Sequence, residues 1–177
     1  MLYRTANKQA KDICEQLMPL CSDVAIAGSV RRHCGLCGDI DIVCLASDTQ
    51  RQAVRSRCLR KSPTIKQDGQ QILSIVLNNG INVQIFFAHP KSQDLFSPTP
   101  SNWGSIMLCR TGPKEFNQSI CIHAAKLGYH WNPFKGIISG DKIIASETEQ
   151  DIFKTLHIKP ISPINRTNIK LPKIVNT

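Results

Sequence analysis

The hydrophobic and polar positions follow two different periods along the chain, and together they predict a mixture of helices and strands. Apolar residues recur at three- and four-residue steps over residues 6–20 and 114–127, as in amphipathic helices, and residues 49–60 carry a basic helical pattern. Runs rich in β-branched residues at 24–28 and 39–46 predict strands. This mixture predicts an α+β fold.

The clearest hairpin signal lies in "QQILSIVLNNGINVQIFFAH", where two apolar runs flank Asn79 and Gly80. An Asn-Gly pair favours a two-residue type I′ turn, so we expect the runs to pair as antiparallel strands. The hairpin needs a larger sheet to pack with. A second, shorter hairpin is predicted over residues 129–145.

The pattern also divides the chain into two parts. A sheet-bearing part is expected over residues 1–105 and a smaller α+β part over residues 106–177, with an exposed loop rich in Pro and Ser at 89–102 between their regular elements. In the second part, Ser146 and Glu149 have the spacing of a capping box and predict the start of a helix.

Charge narrows the class of partner. The chain has 22 Lys and Arg against 13 Asp and Glu, a formal charge of +9, which favours a polyanionic partner such as nucleic acid. The basic residues concentrate at 51–66 and after residue 154, where a merely solvated face is the alternative interpretation. We find neither a membrane-spanning stretch nor a signal-peptide pattern, so we expect an intracellular, cytoplasmic protein without membrane contact, with its eight cysteines reduced.

The candidate chemistry lies in "GSVRRHCGLCGDIDIV", residues 28–43. Side chains at positions i and i+2 of a strand point the same way, so Asp39 and Asp41 would present two carboxylates side by side. At about 4 Å such charges repel by about 4 kcal/mol at an effective dielectric near 20. A divalent cation relieves this repulsion, and Mg²⁺ is commonly held by one or two carboxylates and substrate phosphates.

The residues ahead of these carboxylates suit a phosphate. Gly28 lets the backbone approach a ligand, Ser29 offers a hydroxyl, and a helix that starts here would aim its positive end at an anion. Arg31 and Arg32 add guanidinium groups that match phosphate oxygens. A phosphate cradle beside a metal site suits phosphoryl or nucleotidyl transfer.

The Cys-x-x-Cys motif between the two halves has three interpretations. Cys34 and Cys37 supply only two zinc ligands, and no second pair has a compatible spacing. A local redox pair is a second interpretation. We favour the third, a turn that joins the phosphate-binding segment to the metal-binding strand.

The residues 28–41 resemble the signature of the family X DNA polymerases, within the polymerase-β-like nucleotidyltransferases: Gly-Ser, then Arg-Arg, then Gly-Asp-x-Asp. Residues 110–132 are similar to the family's C-terminal segment, and nearly the whole chain resembles the compact phage- and virus-encoded members that lack the N-terminal lyase domain. The resemblance implies a nucleotidyltransferase palm, a mixed β-sheet with helices, over 1–105. It implies a small α+β subdomain that contacts nucleotide and DNA over 106–177.

The resemblance also implies roles by position. Asp39 and Asp41 would be catalytic metal ligands, with two Mg²⁺ or Mn²⁺ ions in the active state. Nucleotide contacts are expected at Gly28, Ser29, Arg32, Gly38, Thr111, Gly112 and Asn117. DNA contacts are expected at Arg51, Arg55, Lys114, Arg166 and Lys170. The implied partners are dNTP and a DNA primer-template or gapped DNA, bound by a monomer.

One departure from the family pattern concerns the third catalytic carboxylate. The family places it on the strand after the Asn-Gly turn, where this chain has Gln84. A neutral amide is a weaker Mg²⁺ ligand and cannot take the proton of an attacking 3′-hydroxyl. Asp94 is a second candidate for this carboxylate and metal ligand, but it lies in the Pro- and Ser-rich loop, so we take Gln84 as the equivalent position.

The leading hypothesis is a minimal DNA-directed DNA polymerase that adds dNMP to a primer 3′ end by divalent-metal-dependent nucleotidyl transfer, in repair gap filling or DNA replication. Two alternatives stay open: a catalytically impaired homologue that binds nucleotide or DNA, and a template-independent nucleotidyltransferase.

Overall fold

The structure is a computed structural model that describes residues 1–60, 64–92, 94, 96, 98–167 and 171. The chain forms two compact units, Met1–Pro90 and Lys91–Thr177, and each has its own hydrophobic core. The predicted division at residue 105 falls inside a helix, Trp103–Thr111. That helix belongs to the second unit, where the Trp131 indole N–H donates to the Ser105 hydroxyl at 2.9 Å.

The first unit combines helices with one mixed sheet. Its elements are α1 Tyr3–Leu17, β1 Asp23–Ile26, α2 Gly28–Arg31, β2 Ile40–Leu45, α3 Asp48–Leu59, β3 Thr64–Asp68, β4 Ile72–Val76 and β5 Asn82–Ala88. The strand order is β1-β2-β5-β4-β3, in which β2 and β5 run parallel and the other neighbours antiparallel. The parallel pair lies at the centre of the sheet and carries the residues of the candidate site.

Periodicity explains why most of these elements form. Helix α1 buries Ala6, Ala10 and Leu17, which follow the predicted helical spacing, against the core of the unit. Strand β2 buries Ile40 and Ile42 in the same core, so the residues between and before them face the other way. The predicted helices and strands of this unit are confirmed to within a few residues at their ends.

The hairpin β4–β5 forms as predicted, but its turn is different. Leu77 N–H donates to the Ile81 carbonyl at 2.9 Å, which leaves three residues in the loop. Gly80 has a φ of +80°, whereas Asn79 is not among the residues with positive φ. A type I′ turn requires positive φ at both central residues, so the type I′ prediction is wrong and the glycine takes the left-handed position of a three-residue loop.

Strand β3 was not predicted from the sequence. All five of its residues are exposed, so it shows no alternation of buried and solvated positions. It pairs with β4 at the edge of the sheet, where only one neighbour holds it.

The second unit packs three helices against a small antiparallel sheet. Its elements are α4 Trp103–Thr111, α5 Lys114–Lys126, β6 His130–Asn132, β7 Gly136–Ser139, β8 Lys142–Ala145 and α6 Glu149–Thr155, followed by a 3-10 turn at Pro163–Asn165. The helix predicted over 114–127 is confirmed, and it buries Phe116 and Ile120. The segment predicted as a hairpin, 129–145, forms three strands in the order β6-β7-β8.

Helix α6 begins two residues later than the predicted capping box. Its N-cap is Thr148, whose hydroxyl accepts from Asp151 N–H at 3.0 Å. Ser146 instead donates to the Ser101 carbonyl at 2.7 Å, so the predicted box of Ser146 and Glu149 is wrong. Within the part of the chain that is described, no helix is long and apolar enough to cross a membrane.

Candidate functional site

The two carboxylates lie at the start of β2, in the middle of the first unit's sheet. Asp39 directly precedes the strand, and Asp41 is its second residue. Asp41 and Gln84 are partners in the parallel pairing of β2 with β5, so their side chains share one face of the sheet. The Gln84 side-chain amide donates from Nε2 to Asp39 Oδ2 at 3.0 Å. Residues 45 positions apart in sequence thus meet at one point.

The phosphate-binding residues of the prediction adjoin this point. Gly28, the first residue of α2, has a φ of +59°, and a β-carbon built on it would lie 1.8 Å from Asp41 Oδ2. The Ala27 N–H donates to the Asp41 carbonyl at 2.8 Å, which joins the end of β1 to β2 directly before the turn. Only a residue without a side chain allows the backbone of α2 to lie this close to the carboxylate.

Ser29 carries a further sign of an incomplete site. Its hydroxyl oxygen is buried, and within the described part of the chain it has no hydrogen-bond partner. An unsatisfied buried hydroxyl is unfavourable by about 1–3 kcal/mol, so it marks a position where a ligand or water group is expected. Arg32 is the C-cap of α2 and half-buried, and Gly38 is exposed with nothing within 4 Å of a built β-carbon.

The donor set determines which metal chemistry these residues fit. Asp39 and Asp41 provide two carboxylates, and over the described ranges no group of three or more His, Cys, Asp or Glu side chains is arranged to hold a metal ion. Two carboxylates fit one Mg²⁺ or Mn²⁺ that arrives with phosphate oxygens. They do not fit a second ion held by a carboxylate of β5, because Gln84 there presents an amide that donates to Asp39.

The nucleotide contacts expected in the second unit lie at the junction of α4 and α5. Thr111 is fully buried at the end of α4, and Gly112 follows with a φ of +60° and a cis peptide bond to Pro113. Asn117 donates from Nδ2 to the Cys109 carbonyl at 2.7 Å, which ties the first turn of α5 back to α4. The Asn117 Oδ1 atom is buried without a hydrogen-bond partner among the described residues, so it can accept a hydrogen bond from a ligand or water at this turn.

Three of the arginines expected to contact DNA have partners within the chain. Arg55 pairs with Asp68 at 2.8 Å, donates to the Gly69 carbonyl and lies over the Phe87 ring, with 12% of its side chain exposed. Arg51 pairs with Asp48 at 2.5 Å and is 20% exposed. The contacts of Arg55 fix α3 to the neighbouring strands and argue against Arg55 as a DNA contact. The Arg51 pair lies within α3, so a DNA contact at Arg51 stays a prediction.

Arg166 is corrected for the same reason. Its side chain is 1% exposed, and its guanidinium pairs with Glu149 at 2.9 Å and lies over the Phe116 and Phe153 rings. Its Nε donates to the Ile161 carbonyl at 3.1 Å. Arg166 therefore holds the end of the second unit's core together and cannot reach DNA without unfolding it.

The remaining predicted positions are spread over both units. Lys114 is exposed at the first turn of α5, whereas Lys170 lies outside the described residues. Asp94 is exposed, and its carboxylate accepts from the Phe96 N–H at 2.9 Å, which closes a local turn. Cys37 is buried and its thiol donates to the Cys34 carbonyl at 3.5 Å, so the Cys-x-x-Cys segment forms a tight turn between α2 and β2.

Sequence reasoning missed Ser74, which belongs to the same row of side chains. Ser74 on β4 is the antiparallel partner of Gln84, so it follows Asp41 and Gln84 across one face of the sheet. The signal was present in the hairpin, because Ser74 and Gln84 lie at equal distances from Asn79.

Comparison with known proteins concerns the second unit. Residues 106–167, about a third of the chain, match a family model described as DNA polymerase beta thumb. No curated protein matches the chain. The thumb match supports a relationship to polymerase-β-like proteins and points to a polymerase-like, DNA-binding role. The mixed α+β fold predicted from the sequence is confirmed.

Proposed function

We propose that the chain is a polymerase-type nucleotidyltransferase that binds a DNA primer end and a metal-bound dNTP, and in which Gln84 slows the transfer step. The observation that carries this proposal is the position of Gln84, which pairs with Asp41 and donates to Asp39 beside the turn at Gly28. The match to a polymerase β thumb supports DNA as the partner.

The candidate-site residues of the first unit have distinct roles in this proposal. Asp39 and Asp41 hold the Mg²⁺ or Mn²⁺ that accompanies the triphosphate, and Ser29 and Arg32 contact its phosphate oxygens. The cation, when bound, neutralises charge on the triphosphate and assists departure of pyrophosphate. The chain's own residues position the nucleotide, which is the larger part of catalysis in phosphoryl transfer.

Gln84 separates binding from chemistry. An amide cannot accept the proton of the primer 3′-hydroxyl, and it is a poorer ligand for a second cation than a carboxylate. Ser29 and Arg32, which would contact the nucleotide phosphates, belong to the α2 segment and not to β5. We therefore expect dNTP and DNA to bind while dNMP incorporation stays slow.

The test is single-nucleotide incorporation on gapped DNA with Mg²⁺ and with Mn²⁺. Gln84→Asp is expected to raise the rate at least about tenfold over the wild type, as restored general-base function contributes about 10²–10⁴-fold in other enzymes. Gln84→Asn is the matched control, since it makes the same change of length without a carboxylate. Asp39→Asn is expected to remove incorporation in both backgrounds.

Two results would contradict the proposal. One is incorporation by the wild type as fast as by Gln84→Asp, which would mean that the amide does not limit transfer. In that case Asp94→Asn tests whether the carboxylate of Asp94 supplies the missing function. The other is a Gln84→Asp variant that binds dNTP and DNA but gains no rate.

The hydrogen bond between Gln84 and Asp39 favours a second candidate, a binding protein without turnover. This candidate predicts salt-sensitive DNA binding that persists in Asp39→Asn and Asp41→Asn, with no incorporation by any variant.

A further inference from the structure

A cleft of about 140 Å³ opens in the first unit between α1, α3 and the β4–β5 hairpin. Most of its wall is hydrocarbon, and the deepest parts are closed to solvent, since Leu17, Val83 and Ile85 are at most 2% exposed. Six apolar residues line it: Ile13 and Leu17 from α1, Ile75 and Leu77 from β4 and the residue after it, and Val83 and Ile85 from β5. The proposed function makes no use of this space.

The cleft lies on the face of the sheet opposite to the candidate site. Side chains alternate along β5, so Val83 and Ile85 point to one side and Gln84 to the other. Gln84 donates to Asp39 at the candidate site, whereas its two neighbours pack in the core beside α1. A ligand in the cleft therefore does not occupy the space in which a metal-bound nucleotide would lie.

A positive charge stands at the edge of the cleft. Arg57, in the last turn of α3, is one of the lining residues, and it is exposed whereas most of the apolar wall is buried. Arg51 and Arg55 of the same helix have carboxylate partners, but within the described part of the chain Arg57 takes part in no ion pair. A guanidinium beside an apolar cavity favours a ligand with a hydrocarbon body and an anionic end.

The interior of the cleft contributes no opposing charge. Cys58 lines it next to Arg57, and burial raises the pKa of this thiol to about 11, although the neighbouring guanidinium acts in the other direction. The thiol is therefore neutral at physiological pH and behaves as a small apolar group. The fixed charge of the lining is that of Arg57 alone.

The volume limits the size of the ligand. An apolar cavity of about 150 Å³ in another protein takes up one benzene molecule, so a single ring or a branched chain of similar size fits here. We propose that the cleft is a binding site for a compact apolar carboxylate, whose hydrocarbon part lies between α1 and the β4–β5 hairpin and whose carboxylate pairs with Arg57. This inference does not depend on the proposed transferase activity.

Methyl NMR of the full chain, with benzoate as the probe, tests the site directly. The methyl signals of Ile13, Ile75 and Ile85 are expected to shift progressively with benzoate, with a dissociation constant of about 1 mM, a scale typical of so small a ligand. The signals of Ile137 and Ile152, in the core of the second unit, are expected to stay in place.

Two further probes separate the parts of the ligand. Benzamide keeps the ring without the charge and is expected to bind about threefold more weakly, as the loss of one exposed ion pair implies. Acetate keeps the charge without the ring and is expected to bind at least about tenfold more weakly, because it buries little apolar surface.

A matched pair of variants tests the guanidinium. Arg57→Gln is expected to lower the affinity for benzoate about threefold, to that of benzamide. Arg60→Gln removes the same charge from the end of the same helix, where Arg60 is exposed and donates to the Ser56 carbonyl at 3.3 Å. This control is expected to bind benzoate like the wild type.

Three results overturn the inference. One is the absence of any shift of the three cleft methyl groups in the wild type at about 20 mM benzoate. Another is equal affinity for benzoate and benzamide, or an equal loss in Arg57→Gln and Arg60→Gln, because Arg57 would then not recognise the anion. The third is loss of benzoate binding in Asp39→Asn, which would place the ligand at the candidate site instead.

Discussion

Gly28 is the residue on which the two halves of the candidate site depend, because a β-carbon there would overlap Asp41 Oδ2. We predict that Gly28→Ala displaces this carboxylate and weakens binding of Mn²⁺-dNTP by about tenfold or more, a loss of about 1.4 kcal/mol. The left-handed φ of +59° adds about 1 kcal/mol of strain to the folded state. Titration calorimetry with Mn²⁺-dNTP and thermal unfolding measure the two effects.

Gly38→Ala is the control for this prediction. A β-carbon at Gly38 meets nothing within 4 Å, and its φ is not in the left-handed region. The variant should unfold at the wild-type temperature. Equal losses of stability and of binding in both variants would show that the close approach of Gly28 to Asp41 does not cause the effect.

At the residue scale, the candidate-site residues could be chosen from the sequence, but the burial of individual charged side chains could not. Asp39 and Asp41 follow from a two-residue strand period, whereas Gln84 was singled out by the resemblance to the family X polymerases, which place a carboxylate on that strand. The burial of Arg55 and Arg166 could not be predicted, because a charge pattern carries no information about partners such as Asp68 or Glu149 that lie elsewhere in the chain.

At the scale of elements, the close contact of α4 with the start of α6 predicts that Gly104→Ala changes stability in the direction opposite to that expected for an ordinary helix. Gly104 lies in the first turn of α4, and a β-carbon on it would come within 2.2 Å of the Thr148 backbone. In an ordinary helix Gly→Ala stabilises by about 1 kcal/mol. We predict that Gly104→Ala instead destabilises by about 1–3 kcal/mol, as overpacking does. Urea unfolding measures it, and a stabilised variant would disprove the close packing.

The start of α6 illustrates why the boundaries of helices could not be predicted fully. Ser146 and Thr148 both precede an acidic residue at the spacing of a cap, and local sequence does not choose between them. The bond from Ser146 to the Ser101 carbonyl, which joins residues far apart in sequence, removes Ser146 from capping. The periodic elements α1, α5 and the β4–β5 hairpin were predictable because burial of one face dictates them.

At the scale of the whole molecule, the formal charge of +9 suggests many phosphate contacts, but the structure assigns part of that charge to internal pairs. We predict that Lys114→Ala lowers the slope of log affinity for DNA against log salt by about one. Arg55→Ala should leave the slope unchanged, because that guanidinium is already paired. Fluorescence anisotropy at several salt concentrations measures both slopes. A reduced slope for Arg55→Ala would show that Arg55 contacts a DNA phosphate.

The buried thiols make global stability depend on alkaline pH. Folding raises the pKa of Cys14 from 9.0 to about 12 and that of Cys58 from 9.0 to about 11. Above pH 9 the unfolded chain releases these protons while the folded chain keeps them, so stability present below pH 9 declines as pH rises towards 12. We predict that Cys14→Ala flattens the decline of unfolding free energy between pH 8.5 and 10.5, measured in urea under reducing conditions. A slope unchanged by this variant would contradict the predicted shift.

The parallel pairing of β2 and β5 also has a kinetic meaning. Parallel neighbours cannot be joined by a tight turn, so the chain between residues 45 and 82 must pass through α3 and two further strands before β5 docks. Loop closure over such a distance is slow compared with formation of local helices and hairpins. We therefore expect Asp41 to meet Gln84 after the β4–β5 hairpin has formed, so that the candidate site is completed by a late step of folding.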